Sequence, residues 1–228
     1  LPPKFPLSLN PKKQPLSAFL GSIISDDEIN RLIQYNRSLK IQYLPDSICN
    51  VTATLLAKGH LIGWIQGRAE FGPRALGNRS ILADPRQATT KDKINQKIKF
   101  RESFRPFAPS VLDEYADEYF EQYQHSPYMD KTLTIRQSVQ EQVAAVCHVD
   151  GTGRLQTVTQ VSNPRFYELI SYFYQYTQIP MLLNTSFNVM GKPLVHSLDD
   201  AVAVFFSSGL DVLVINDYLI CKPDYDEV

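Results

Sequence analysis

The sequence has few of the residues that usually mark a metal centre, a disulfide framework or a membrane span. It contains three cysteines and four histidines among 228 residues. Cys49, Cys147 and Cys221 lie far apart without a CxxC motif, and their odd number argues against a disulfide framework. The scattered histidines suggest no metal site in this chain. No apolar run approaches the roughly 20 residues that a membrane helix needs, so we expect a cytoplasmic protein without a membrane partner.

The first residues also lack an apolar segment of the kind found in signal peptides. The chain begins with Leu1, and five of its fifteen prolines fall in residues 1–15. Such a proline-rich start is typical of a linker. We therefore expect residues 1–20 to be an arm from a missing N-terminal domain. Residues 21–228 are expected to form one domain, since 43% of the chain is hydrophobic and 21% is charged.

The net charge of −1 hides a basic segment. Residues 67–106 carry ten lysines and arginines but four acids, so this segment is +6 and the remainder of the chain is −7. A local basic patch on a nearly neutral protein favours a small anionic ligand over a long nucleic-acid track. A nucleic-acid-binding module stays open as an alternative, and its binding to RNA would depend steeply on salt.

The stretch EFGPRALGNRS, residues 70–80, places Arg74 and Arg79 among glycines and a proline. Glycine lets a backbone turn sharply and approach a ligand closely. Arginine offers a planar fork of donors that matches phosphate and carboxylate oxygens. The pattern therefore predicts a loop that holds an anion.

Three further segments carry candidate ligand-binding side chains. KFRESFRPF has Lys99 and Arg101 two residues apart, so an extended backbone would point both the same way, although both are also compatible with ordinary surface charge. HVDGTGRLQTV begins a predicted strand, and LNTSFNVMGKP ends one. Ligands of open α/β sheets favour the carboxyl ends of strands. The candidates from these segments are Lys99, Arg101, Arg105, Arg154, Asn184, Thr185, Ser186 and Asn188.

Apolar periodicity and turn residues predict a mixture of helices and strands without strict alternation. Helices are expected after Ser25, over residues 46–58, 89–100 and 113–122, after Asn163-Pro164, and after Ser197. Strands are expected at residues 61–66, 81–84, 107–112, 132–135, 143–149, 154–161 and 180–184, and in a hairpin around Asn216-Asp217. This pattern favours an α/β or α+β domain with a mixed sheet.

Four ordered motifs together resemble the C-terminal domain of the O-carbamoyltransferases, a family of nodulation and antibiotic-tailoring enzymes. The motifs are GRAEFGPRALGNRSILADPR, FRESFRPFAPSVL, HVDGTGRLQTV and LLNTSFNVMGKPLV, and the match runs from about Leu20 to Leu219. The resemblance implies a YrdC-like fold, a twisted open mixed sheet flanked by helices. Related domains that make threonylcarbamoyl-adenylate share a Lys-x-Arg and a Ser-x-Asn signature. Lys99-Phe100-Arg101 and Ser186-Phe187-Asn188 match both signatures.

The resemblance also implies a reaction and its partners. In this family, ATP and carbamoyl phosphate form carbamoyl adenylate in the C-terminal half. A hydroxyl acceptor then takes the carbamoyl group in a kinase-like N-terminal half, which is where iron or another metal is expected. Mg²⁺ is expected to accompany ATP, a homodimer is a further expectation, and nucleic acid is not expected as a partner.

By the same resemblance, the candidate residues fall into two groups. Lys99, Arg101, Arg105, Ser186 and Asn188 are expected to be catalytic, with Lys99 and Arg101 on the nucleotide phosphates. Arg74, Arg79, Arg154, Asn184 and Thr185 are expected to bind ATP or carbamoyl phosphate. Two other readings remain: a threonylcarbamoyl-adenylate synthase-like domain acting in tRNA modification, and a non-catalytic nucleotide-binding partner of the missing half. The sequence does not identify the acceptor.

Overall fold

The structure, a computed structural model, describes residues 17–36, 39–102 and 104–225. Its described strands form a single sheet. They are β1 (Lys40–Tyr43), β2 (Ile62–Ile65), β3 (Arg79–Ala83), β4 (Ala108–Leu112), β5 (Lys131–Thr134), β6 (Thr152–Val158), β7 (Met181–Ser186), β8 (Val212–Ile215) and β9 (Tyr218–Cys221).

The sheet is mixed, with the strand order β1-β9-β8-β2-β3-β7-β4-β6-β5. The β2–β8 and β4–β6 pairs are parallel, and the other neighbouring strands are antiparallel. The strands β2, β3 and β8 near the middle are buried along their whole length. Near-continuous apolar runs are typical of strands covered on both faces. The expected mixed α/β class is therefore confirmed.

Short polar signals determine where several helices begin. The α-helices are α1 (Asp26–Tyr35), α2 (Ile48–Ala57), α3 (Ala88–Ile94), α4 (Ala116–Tyr119), α5 (Pro164–Thr177) and α6 (Leu198–Ser207). Ser25 and Ser197 each form the reciprocal capping box that satisfies free amides in the first turn of α1 and α6. Asn163 caps α5 ahead of its first-turn proline. Helix α5 packs against α2 and buries Phe166, among other apolar residues.

One sequence prediction of regular structure was wrong, and one predicted helix changes type along its length. Residues 143–149 form no strand, since a 3₁₀ segment at Gln137–Val143 leads into turns. Val143 and Val146 are nevertheless fully buried. A short apolar run indicates burial but does not determine the backbone conformation. The helix expected over residues 89–100 is α3 followed by a π-helical turn at Asn95–Lys99.

The expected arm of residues 1–20 falls mostly outside the described residues. Residues 17–20 belong to the described part, and they lie along the segment that precedes the glycine- and arginine-rich loop. Within the part of the chain that the structure describes, no helix has both the length and the apolar character needed to span a membrane.

Candidate functional site

A cavity of about 300 Å³ beside the end of β7 is lined by residues from five separate segments of the chain. Nine of the ten residues predicted from the sequence line it: Arg74, Lys99, Arg101, Arg105, Arg154, Asn184, Thr185, Ser186 and Asn188. None of the described residues that line this cavity is an aspartate or a glutamate. The cavity therefore brings five cationic side chains together without a carboxylate among its described lining.

Lys99 reaches the cavity because of the π-helical turn. This turn ends at Phe100, whose φ of 49° lies in the left-handed region, so the backbone from Lys99 to Arg101 is not extended. The Lys99 ammonium donates to the backbone oxygens of Ser186 (2.5 Å) and Asn188 (3.0 Å) and to Asn188 Oδ1 (2.7 Å). The two signature motifs thus contact each other directly.

The ammonium of Lys99 is under opposing influences. The residue is 4% exposed, and burial together with the nearby Arg101 charge lowers its pKa to about 7. Its three oxygen partners match the three donors of an ammonium and favour the charged form. A ligand anion would favour the charged form further.

Arg101 is held by side chains that the sequence reasoning missed. Its Nε donates to Asn95 Oδ1 at 2.8 Å, and its guanidinium lies 4.9 Å from the centre of the Phe107 ring. Burial and the neighbouring Arg105 charge lower the pKa of Arg101. Arg105 is paired with Glu102 at 3.2 Å. Asn95 lies six residues from Arg101 in a predicted polar helix, and nothing in its sequence context distinguishes it from a surface residue.

Arg74 and Arg154 approach the cavity from different elements. Arg74 lies in the loop before β3, and Arg154 lies on β6. Burial and the like charge of Arg154 lower the pKa of Arg74. Two guanidinium groups that repel each other across a cavity favour an anion between them.

Arg79 does not line the cavity, which corrects its expected role as an anion ligand. It is the first residue of β3 and has no solvent exposure. Its guanidinium donates to backbone carbonyl oxygens, including those of Gln66, Gly67 and Asn78. All of the hydrogen bonds that its guanidinium donates within the described chain go to backbone oxygens, so this buried side chain holds the loop and lies outside the cavity lining.

The loop before β3 is organised around its own carboxylate. Glu70 is 3% exposed, and its Oε1 accepts the backbone amides of Leu76 (2.7 Å), Asn78 (2.8 Å) and Arg79 (3.2 Å). Gly77 has a φ of 104°, and a Cβ there would lie 2.3 Å from the Phe166 ring. The glycines and Glu70 therefore shape a fixed turn that presents Arg74.

Polar side chains of three adjacent strands hold the other side of this loop. Gln156 of β6 donates to the Leu76 oxygen (2.9 Å), and Asn184 of β7 donates to the Ala75 oxygen (3.3 Å). Asn184 also donates to Ser110 Oγ on β4 and to Gln156 Oε1, each at 3.0 Å. Because the Ala75 oxygen can only accept, the Asn184 nitrogen must face it. Asn184 Oδ1 is buried without a partner in the described chain.

No group of three or more histidine, cysteine, aspartate or glutamate side chains that could hold a metal ion occurs among the described residues. The cavity has the chemistry of an anion site: arginines, one lysine, hydroxyls and amides.

Comparison with known proteins places this geometry in a family. Residues 53–222 match the family model described as the carbamoyltransferase C-terminus. The chain is 46% identical over 217 residues to nodulation protein NolNO of Sinorhizobium fredii, covering 93% of this chain and 32% of the relative. It is 49% identical over 180 residues to nodulation protein NolO of Bradyrhizobium diazoefficiens, covering 78% of this chain and 33% of the relative.

A third relative carries an enzyme name. The 3′-hydroxymethylcephem-O-carbamoyltransferase of Amycolatopsis lactamdurans is 40% identical over 162 residues, covering 71% of this chain and 31% of the relative. The chain thus spans about one third of the length of these curated relatives.

Among solved structures, the crystal structure of T. kodakarensis HypF superposes with a TM-score of 0.52 at 16% identity, covering 79% of this chain and 22% of that one. This likeness concerns the fold alone, and it agrees with the expected YrdC-like arrangement of mixed strands and helices. The family match rests on sequence and covers residues 53–222. The chain therefore belongs to the carbamoyltransferase family and corresponds to the region described as the carbamoyltransferase C-terminus.

Proposed function

We propose that this chain forms carbamoyl adenylate from ATP and carbamoyl phosphate, as one half-reaction of a protein that transfers a carbamoyl group to a hydroxyl of a small molecule. The observation that supports this most is the convergence of five cationic side chains with Ser186 and Asn188 on one cavity. Membership of the carbamoyltransferase family supplies the chemical class.

The first physical task of the site is to bring two anions together. ATP and carbamoyl phosphate repel each other, and both are well solvated in water. Fixed guanidinium and ammonium groups in a partly enclosed cavity offset this repulsion without reorganising when the substrates react. We assign Lys99 and Arg101 to the nucleotide phosphates, and Arg74, Arg105 and Arg154 to the carbamoyl donor or the adenylate.

The proposed step is an in-line displacement at phosphorus. Water takes the phosphoryl group of carbamoyl phosphate and leaves carbamate. A carbamate oxygen then bonds to the α-phosphorus of ATP while the bond to pyrophosphate breaks. No protein nucleophile is needed, since positioning and charge stabilisation supply most of the catalysis in such transfers.

The polar groups at the end of β7 orient the neutral parts of the substrates in this proposal. Ser186, Asn188 and Thr185 line the cavity where a ribose or the α-phosphate would lie. The unpartnered Asn184 Oδ1 is a candidate acceptor for the carbamoyl amide. Mg²⁺ would be carried by the phosphate oxygens of ATP, because the described lining offers no carboxylate.

The transfer to the acceptor is proposed for a part of the protein beyond this chain, since the curated relatives are about three times as long. A relative named for a 3′-hydroxymethylcephem supports an alcohol as the acceptor. In this proposal the kinase-like half is the partner of this domain, and any iron or other metal belongs there.

Carbamoyl-phosphate-dependent exchange between ATP and labelled pyrophosphate tests the proposal in the longer protein. Replacing Arg101 or Lys99 by alanine should lower the exchange rate at least about 100-fold, because each group stabilises charge at the reacting phosphates. Arg136→Ala is the matched control, since Arg136 pairs with Asp117 away from the cavity. Near-normal exchange in both cavity variants would refute the assignment. Exchange that requires threonine would instead favour a threonylcarbamoyl-adenylate synthase.

A further inference from the structure

Arg79 joins two segments that are distant in sequence. It is fully buried, and its Nη2 donates to the Ser22 oxygen at 3.0 Å and to the Gly67 oxygen at 3.1 Å. Its Nη1 donates to the oxygens of Gln66 (3.0 Å) and Asn78 (2.9 Å). One guanidinium thus links the segment around Ser22 to both ends of the loop that carries Arg74.

Residues 18–22, which we call the strap, lie along the start of that loop. The strap and residues 68–71 exchange backbone hydrogen bonds in an antiparallel manner, reinforced by one arginine side chain. The bonds run from Gly21 N to the Ala69 oxygen (2.9 Å), from Ala69 N to the Ser22 oxygen (2.8 Å), from Phe71 N to the Ala18 oxygen (2.7 Å) and from Arg68 Nη2 to the Leu20 oxygen (2.9 Å).

Arg74 lies between two fixed points of the loop. On one side the strap holds the amide of Phe71. On the other side Glu70 holds the amide of Leu76. Residues 72–74, which include Arg74, are exposed, so the reach of the Arg74 guanidinium depends on where these two points are anchored.

We propose that Arg79 and the strap are positioning elements for Arg74, so that they control anion binding in the cavity without touching the ligand. The proposal rests on the proposed function in taking the cavity as an anion site. Arg79 fits the role because a guanidinium fork donates to several carbonyl oxygens in one plane, which an ammonium cannot do in the same geometry. The strap lies at the amino end of the described chain, so upstream parts of a longer protein would be connected to the loop through it.

A substitution at Gly21 tests how the strap affects the loop without changing any residue that lines the cavity. A Cβ at Gly21 would lie 2.9 Å from both the Cβ and the backbone oxygen of Ala69. Contacts that short force the strap away from residues 68–71, because backbone and Cβ atoms on the facing segment cannot swing aside. Gly21→Ala should therefore loosen the strap, and Arg79→Lys should loosen it by a second route.

Gly59→Ala is the matched control. Gly59 has a φ of 91°, so alanine there is strained, yet no atom lies within 4 Å of the added Cβ. This variant is expected to lose stability without moving the strap or the loop. It separates a local effect on the loop from a general loss of folding stability.

The experiment has two readouts on the longer protein. Hydrogen exchange measured by mass spectrometry on peptides covering residues 70–80 reports loop order and does not depend on any function. Calorimetric titration with inorganic pyrophosphate measures the affinity of the cavity for an anion. Both Gly21→Ala and Arg79→Lys should speed exchange in the loop about tenfold and weaken pyrophosphate binding about fivefold or more, and Gly59→Ala should do neither.

The outcomes distinguish this inference from the proposed function. Unchanged exchange in the loop of both variants overturns the positioning role, whatever the cavity binds. Faster exchange with unchanged pyrophosphate affinity also overturns it, because the loop then does not control the site. Faster exchange in a protein whose wild type binds no pyrophosphate supports the mechanical coupling and refutes the anion site instead.

Discussion

Anion binding in the cavity should weaken as the pH rises above neutrality, and Lys99 should be the cause. Burial and the Arg101 charge lower the pKa of Lys99 to about 7 in the free protein. An anion beside the ammonium favours the protonated form and raises this pKa. Affinity is therefore fully present below about pH 7 and is lost as the pH rises through the range between the free and bound pKa values. Arginine side chains keep their charge throughout this range.

The size of the effect follows from the charges. A unit charge about 4 Å from an anion gains about 4 kcal/mol at an effective dielectric constant of about 20. We expect about two thirds of this, about 2.7 kcal/mol, because the same ammonium already donates to Ser186 and Asn188. That energy corresponds to about 100-fold in affinity, spread over about two pH units above pH 7.

Calorimetric titration with sulfate measures this, because sulfate does not change its own charge between about pH 6 and about pH 9. The wild type should show the decline, while Lys99→Met should bind weakly and equally at every pH. Lys222→Met is the matched control, since burial also lowers the pKa of Lys222 but this lysine lies outside the cavity. Burial lowers the pKa of His148 as well, so that side chain titrates below the range of interest.

Two results would contradict a role for Lys99 in the pH dependence of anion binding. The first is a wild-type affinity that does not change between about pH 7 and about pH 9, which would mean that anion binding is not linked to the protonation of Lys99. The second is a decline of the same slope in Lys99→Met, which would assign the titration to another group. In either case the ammonium would serve to hold the Ser186–Asn188 segment only.

Two further predictions concern stability. Gly77→Ala should lower the free energy of unfolding by about 3 kcal/mol, because φ is 104° and the new Cβ would overlap the Phe166 ring. Urea denaturation measures this change. A loss below about 1 kcal/mol would contradict the tight packing of the loop. Ser25→Ala should cost about 1 kcal/mol by removing the capping box with Glu28. Thermal unfolding of Ser25→Ala beside the exposed-site variant Ser17→Ala checks the second value, and equal melting temperatures would show that the cap does not stabilise the fold.

Features set by a few neighbouring residues could be predicted from the sequence. The capping boxes at Ser25 and Ser197 and the asparagine cap at Asn163 are local, because a side chain satisfies amides within three residues of itself. The hairpin at Asn216 is also local, because asparagine tolerates the φ of 50° that this turn requires. The apolar face of α5 was predicted because helical periodicity survives in any tertiary setting.

The cavity itself required long-range information. The resemblance grouped its cationic residues before any geometry was known, and nine of the ten candidates do share one cavity. Which way each side chain points was a separate question. The π-helical turn that carries Lys99 has no sequence signal, because it differs from an α-helix by one hydrogen-bond register.

Arg74 and Arg79 show what the sequence determined and what it left open. Composition, glycine spacing and charge determined that this stretch forms a tight loop with arginines in it. The packing of the folded chain places one arginine at the cavity and buries the other at the start of β3, where it holds carbonyl oxygens of the strap and the loop. The reason is physical: both side chains have the same chemistry, and the role of each is decided by partners that lie far away in the chain and meet it only when the sheet has formed.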